Sequence, residues 1–408
     1  MWRRGAGRAL ALCGALAGIV SIAVAAEPLA VALPGELVPF PGRPAVEASG
    51  AVTISPVEPV GMLPAEFDSQ SALLISGAFL AEEVPTTYAR LVDRLRGRVE
   101  LLSLVRDERS ETQAAELLRA QRVDAPHVRY LRMPHDSMWT RDFGPLAVRQ
   151  RSGRNVLIDA WYNCADRAND DAVPPRVSEL LEAEWVQAPI FLDGGNLLSN
   201  GRGLLLSTDV LLAKNTPPEL DAQALRSTLG HTFGAKQVVF LEPLIGEPTG
   251  HVDMFVTFTS PQSVVVASID AADDPGNARI LDDAADRLAQ VRTSGGKLRV
   301  ARIRMPGHGD TVWRSYTNVV YANGLLLVPA YPTKDPDGSD AALATYRRLL
   351  PQWRVESFDA EELAVLGGAL HCITMNLPGP RHGGLPAIRK TTPLPMHTGA
   401  AQQEAAER

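Results

Sequence analysis

Apolar and polar residues alternate with a period of two in four stretches that each double back on themselves. These are GPLAVRQRSGRNVLIDAWY (144–162), GNLLSNGRGLLLST (195–208), HVDMFVTFTSPQSVVVAS (251–268) and SYTNVVYANGLLLVPAY (315–331). The alternation predicts strands with one buried face, and three of the four carry Ser-Gly or Asn-Gly at the reversal, the chemistry of tight hairpins. Between them the period lengthens to that of amphipathic helices in RVSELLEAEW, DAQALRSTLGHTF and NARILDDAADRLAQVRT. Short strands follow, as in QVVFLEPL and KLRVARIRMP, and two of them end alike, in VRYLRMPHD and VARIRMPGHGD. The predicted unit is strand, strand, helix, strand, repeated about every 50 to 65 residues. A fifth hairpin is missing unless the chain ends supply it. SALLISG near Ser71 and LHCITMN near Cys372 are its two halves, and pairing them closes a ring with Cys372 on the last strand.

The flanks have a different character. Residues 1–26 carry three arginines (Arg3, Arg4, Arg8), then an apolar run and Ala-Val-Ala-Ala, the layout of a cleaved export signal. A retained anchor is the alternative, but glycines interrupt the run and no basic flank follows it. Export to the periplasm or beyond is therefore the expected fate, with no stable membrane anchor after processing. Residues 27–62 read as a Pro-rich arm or linker and 381–408 as a tail, leaving a core of 63–380.

The chain has 408 residues, 40 basic and 47 acidic, for a formal charge of −7. Losing the leader removes three arginines and no acids, moving the charge from −7 to −10. That balance argues against nucleic acid and suits a cationic small molecule or peptide as partner. It also removes Cys13, leaving Cys164 and Cys372, so a disulfide between these two competes with any reactive role for Cys372.

Four polar clusters fall where a strand or hairpin meets a loop: DSMWTRDFGP (136–145), LDGGN (192–196), GEPTGHVD (246–253) and LHC (370–372). In a ring these equivalent points converge, bringing a thiol, an imidazole and several carboxylates to one pocket. His251 and Asp253, two apart on a predicted strand, share a face and read as an acid/base beside a substrate-binding carboxylate. Asp142 in WTRD reads alone as a surface turn. Asp193 reads as a hairpin-start acid or as the partner that orients a histidine. Arg167 reads as a solvated loop charge or as a partner for a substrate carboxylate, and Cys164 in the same loop as a passive thiol. A metal reading of His251 and Asp253 with His135, Asp136, His308 and Asp310 lacks any tight ligand spacing, so no metal is expected.

Taken together, LPAEFDSQSALLIS, WTRDFGP, DGGN, GHVD, SYTN and GGALHCIT resemble the agmatine deiminase and bacterial peptidylarginine deiminase family of the pentein superfamily. The resemblance spans roughly Leu63 to Pro380 and implies a fivefold pseudo-symmetric α/β propeller. It also implies Cys372 as nucleophile, His251 as general acid/base, and Asp142 and Asp253 as the carboxylates that grip a guanidinium. Trp139 lines the substrate channel in this reading. Asp193 stands where the agmatine-type motif has Glu, and Glu247 completes the GE…GHVD pattern. The implied reaction is hydrolytic deimination of peptidyl or free arginine, with agmatine as the alternative substrate, and it requires no metal or organic cofactor. A non-catalytic or amidinotransferase-like pentein is the more distant alternative. Two departures bear on substrate: ITMN follows the cysteine where agmatine-type chains have ITQQ, and Arg167 stands alone where the peptidylarginine branch carries two basic residues.

Overall fold

The structure, a computed structural model, describes residues 59–215 and 222–379. The expected leader (1–26), the tail (381–408) and the arm up to residue 58 lie outside the described residues. No helix among the described residues is long and apolar enough to cross a membrane.

The predicted unit is present four times in continuous sequence. Leu146–Arg149 pairs antiparallel with Asn155–Trp161, which pairs parallel with Trp185–Phe191. The same arrangement joins Leu198–Ser199, Leu204–Thr208 and Gln237–Leu241. It recurs in Val256–Ser260, Ser263–Ser268 and Arg299–Arg304, and again in Val320–Ala322, Leu325–Ala330 and Arg354–Asp359. Turn chemistry sets the register of the last of these. Ala322 faces Leu325 across a two-residue loop whose members, Asn323 and Gly324, both have positive φ (46° and 85°). Asn and Gly tolerate that conformation, so the chain reverses without a bulge.

Helices cover the sheets with one apolar stripe. In Pro275–Gln290, Asp274 caps the first turn by accepting from the Asn277 N–H, and Pro275 needs no donor there. Ile280, Leu281, Ala284, Ala285 and Leu288 then pack on Val264 and Val266 of the sheet below. Pro336–Leu349 repeats the device with Asp335 and Pro336.

The chain ends close the ring. Gln70–Ser76 pairs antiparallel with Met375–Pro378 and parallel with Glu100–Val105, and Leu74 faces Met375. A fourth strand, Val128–Arg132, extends this sheet alone. The result is a fivefold pseudo-symmetric α/β propeller.

Several expectations require correction. The final strand starts at Met375, so Cys372 lies in the turn before it. Its backbone N–H faces Asn318 Oδ1 at 3.3 Å and its carbonyl accepts from the Arg141 N–H at 3.1 Å, which replaces ladder pairing. His251 and Asp253 likewise precede their strand: His251 is extended and Val252–Met254 forms one 3₁₀ turn. RVSELLEAEW is not one helix. Helix Val173–Leu180 ends early, Glu182 has positive φ, and Trp185 begins a strand. Residues 59–62, the described part of the predicted arm, lie on the body: Met62 exchanges backbone hydrogen bonds with Arg149 and the Val60 N–H donates to the His231 carbonyl.

Candidate active site

Every unit offers the same point to one end of the ring: the few residues just before its first hairpin strand. Trp139–Phe143, Asp193–Asn196, His251–Met254, Ser315–Asn318 and Leu370–Ile373 occupy these points. Side chains there leave the ladder and turn toward a common centre.

Gly195 marks that centre. A β-carbon on it would stand 2.7 Å from His251 Nδ1, 3.1 Å from Asp253 Oδ2 and 3.2 Å from Asp142 Oδ1. Three functional groups from two units thus surround one backbone position of a third, and only glycine leaves them undisturbed. Gly195→Ala is expected to lower kcat/KM by roughly a hundredfold, the usual cost of displacing reacting groups by about 1 Å. Thermal unfolding should remain close to that of the parent, because the methyl group displaces site side chains and spares the strands. Steady-state kinetics beside a melting curve checks both.

Cys372 is a buried free thiol, so it forms no disulfide with Cys164. Burial, together with Asp253 and Asp142, pushes its pKa well above the ordinary thiol value. Asn318 orients it: Nδ2 lies 3.3 Å from the sulfur and 3.2 Å from Asp253 Oδ2, while Oδ1 accepts from the His371 N–H at 2.9 Å.

His251 is buried, with Nε2 3.0 Å from Asp193 Oδ2 and Nδ1 3.7 Å from Asp142 Oδ1. Burial alone would lower its pKa, but Asp193, Asp142 and Asp253 outweigh it and raise the value to about 9. Asp193 also takes the Lys214 ammonium on the same oxygen. Against the push of burial, Lys214 and His251 hold the Asp193 carboxyl well below its usual range. Asp142 goes the other way: burial lifts it to about 6 despite His251. Two acids on one imidazole are thus driven apart, one fixed as its anchor and one titrating near neutrality.

Asp253 is almost wholly buried. Its Oδ2 meets His371 Nδ1 at 2.6 Å and Asn318 Nδ2 at 3.2 Å, whereas its Oδ1 has no hydrogen-bond partner. A bare carboxylate oxygen away from water is costly unless something cationic meets it.

The remaining sequence candidates take other places. Trp139 packs against Gly368, where a β-carbon would lie 2.5 Å from ring atom Cζ3 and 3.0 Å from Cys372 Cβ, so the indole and the cysteine crowd the same glycine. Glu247 accepts from the Gly250 N–H at 2.6 Å and from Thr249, tying the loop before His251, and its burial raises its own pKa. Arg167 is no solvated loop charge. It is buried over the rings of Tyr162 and Phe143, with Nε 2.7 Å from Asp170 and a further contact to Ser137. Of the metal candidates, His135 meets Ser76 Oγ at 2.7 Å and the Met133 carbonyl at 3.1 Å, and His308 stacks on Trp313. Neither reaches His251.

The sequence reading assigned no role to Asn318, His371, Glu66, Arg141 or Lys214. Asn318 had a findable signal: it occupies, in the Ser315 unit, the point that Asp142 and Asp253 occupy in theirs.

An α/β ring gathering a thiol, an imidazole and paired acids at one end has the pentein architecture. The chain belongs to the Porphyromonas-type peptidyl-arginine deiminase family, whose model matches residues 62–378. It is 26% identical over 309 residues to a Legionella pneumophila protein named "Putative agmatine deiminase", covering 73% of this chain and 86% of that one. Among solved structures, it resembles the agmatine deiminase of Enterococcus faecalis with a TM-score of 0.70 at 20% identity, over 78% of this chain and 96% of the other. A Porphyromonas gingivalis structure titled "Putative Arginine Deiminase" gives a TM-score of 0.68 at 24% identity, over 80% and 99%. At these identities the two structures speak for the fold.

Proposed function

We propose that the protein hydrolyses a C–N bond of a guanidinium substrate, releasing ammonia and leaving a ureido product, with Cys372 as nucleophile. The observation that carries this reading is the set around Gly195: His251, Asp142 and Asp253 converge there, with Asp253 Oδ1 left bare. A guanidinium is planar, permanently cationic and donates five hydrogen bonds, which matches two fixed carboxylates.

The resting charges define the steps. Asp253 and Asp142 oppose a thiolate, and a bound guanidinium cancels that opposition, so substrate binding lets the Cys372 proton leave to solvent. Sulfur then bonds to the guanidinium carbon, giving a neutral tetrahedral adduct. His251, an imidazolium below about pH 9, protonates the departing amino group. Ammonia leaves and the carbon remains bonded to sulfur as a cationic thiouronium. Neutral His251 next takes a proton from water, whose oxygen adds to that carbon. The C–S bond breaks, the ureido carbonyl forms, the hydroxyl proton returns to sulfur, and His251 is again charged.

Two substrate readings follow from different observations. The family match supports arginine, free or in a peptide, with Arg167 meeting the substrate carboxylate. The pairing of Arg167 with Asp170 supports agmatine, which has no carboxylate to compete for that cation. The test is an assay of ureido product and ammonia over agmatine, arginine and arginine peptides. One ammonia per ureido product is expected from at least one of them. Release of urea and an amine would break the other C–N bond and overturn the proposal. Arg167→Lys, which keeps a cation for Asp170 but loses the planar fork, should weaken turnover of arginine and spare agmatine if the first reading holds.

A further inference from the structure

A second buried charged chain runs behind the site and joins it at Asp253; its other members take no part in the steps above. Arg141 Nη1 lies 2.8 Å from Glu66 Oε1, the same oxygen lies 2.7 Å from His371 Nε2, and His371 Nδ1 lies 2.6 Å from Asp253 Oδ2. Arg141 is fixed further by Asn376 Oδ1 at 2.6 Å. Glu66 belongs to the segment leading into the first strand, 305 positions from His371.

We propose that His371 is a positioning residue for the deimination reaction: held as an imidazolium by Glu66, it pins one oxygen of Asp253 and so presents the other to the guanidinium. This rests on the deiminase reading and goes beyond it, since it assigns work to residues that never touch substrate.

The chemistry of the donor set carries the argument. Both ring nitrogens of His371 face carboxylate oxygens, and an ionised carboxylate only accepts. A neutral imidazole donates from one nitrogen and would leave lone pair against lone pair at the other. Both short contacts are satisfied only when both nitrogens carry protons. Glu66 is the fixed anion of the chain. Burial works against its charge, yet Arg141 and His371 bring its pKa down to about 2. The charged groups facing His371 are Asp253, Glu66 and Arg141, with the Cys372 thiol next in sequence. Burial and Arg141 pull the His371 pKa down, but Glu66 and Asp253 prevail and raise it.

The geometric consequence concerns Asp253. With Oδ2 engaged by His371 and Asn318, the carboxylate cannot turn about its own axis, and Oδ1 stays bare. A carboxylate free to rotate would satisfy both oxygens internally and meet the substrate less often in the right pose.

Glu66→Gln in the full chain tests this. Glutamine keeps an oxygen for Arg141 and His371 but removes the charge, so the His371 imidazolium is lost at lower pH. His251 sets the alkaline arm of kcat/KM in the unmutated protein, and in Glu66→Gln earlier loss of the His371 proton is expected to move that arm toward acid. KM should rise roughly tenfold at pH 8, with a smaller change in kcat. A purely structural role would lower the melting temperature and leave the arm where it was, which overturns the proposal. His371→Gln removes the second proton and should raise KM at least as far. The Glu66→Gln/His371→Gln pair should be no worse than His371→Gln alone, and additive losses would also overturn the proposal. If the unmutated protein makes no ureido product from any guanidine, the deiminase reading falls, and this assignment with it. If it does and the variants behave additively, this assignment falls alone.

Discussion

Cys372→Ala should leave a folded ring that still binds a guanidinium and releases no measurable ammonia, a loss of roughly a thousandfold or more, as for removal of other enzymatic nucleophiles. The sulfur is the one soft nucleophile at the convergence of the five units, and Asn318 orients it from both sides, holding its backbone N–H and reaching its sulfur. Truncation to alanine removes only the sulfur from a residue at the edge of a large apolar cluster, so folding should survive. Calorimetric titration with agmatine or arginine and an ammonia assay separate the two properties. Ordinary turnover in this variant would remove the covalent route. The raised thiol pKa adds a second expectation within the same experiment. Iodoacetamide should label Cys372 in the unmutated protein slowly at pH 7, because the resting group is a protonated thiol.

Asp253→Asn is expected to cost about 2 to 5 kcal/mol, the range for stripping one partner from a buried charged pair. In kcat/KM this is roughly thirtyfold to a few thousandfold. The amide keeps the shape but offers a neutral group where Oδ1 now waits, and it disturbs the contacts to His371 and Asn318. Asp142→Asn should carry a distinct pH signature. The Asp142 carboxyl gains its proton as pH falls through about 6, so the unmutated enzyme should lose kcat/KM below that point. The variant, with no proton to gain, should be weak and flat through the same range. On the alkaline side, His251 loses its proton near pH 9 and with it the acid for departing ammonia. A bell between these limits, missing its acid arm in Asp142→Asn, is the expected result. Near-parental kinetics in both variants would place the cation elsewhere.

The hairpins were legible because a period of two and an Asn-Gly or Ser-Gly reversal are local signals. Closure followed by counting, since four hairpins and two unpaired apolar ends leave one way to complete a ring. Local signals also misled. Residues preceding a strand are extended and alternate like strand residues, so pattern alone put Cys372, His251 and Asp253 on ladders they do not join. Arg167 shows a different limit. Its loop sequence is mostly polar, and its burial comes from Tyr162, Phe143 and Asp170 packing around it, which no spacing reveals. Glu66 was hidden for the same reason at longer range. Its partners are Arg141 and His371, and only the completed ring makes them neighbours.

Pairing of Leu74 with Met375 has a consequence for how the protein comes into being. Ribosomes make the first strand early and its partner last, so the opening sheet waits for its edge through the synthesis of every other unit. Such a long-range contact also pays its loop entropy late in folding. The nucleophile sits three residues before that final strand, so a nascent or truncated chain carries the histidine and the acids without a thiol in register. Activity therefore waits on the docking of Met375–Pro378 against Gln70–Ser76, and that strand acts as the clasp that arms the molecule.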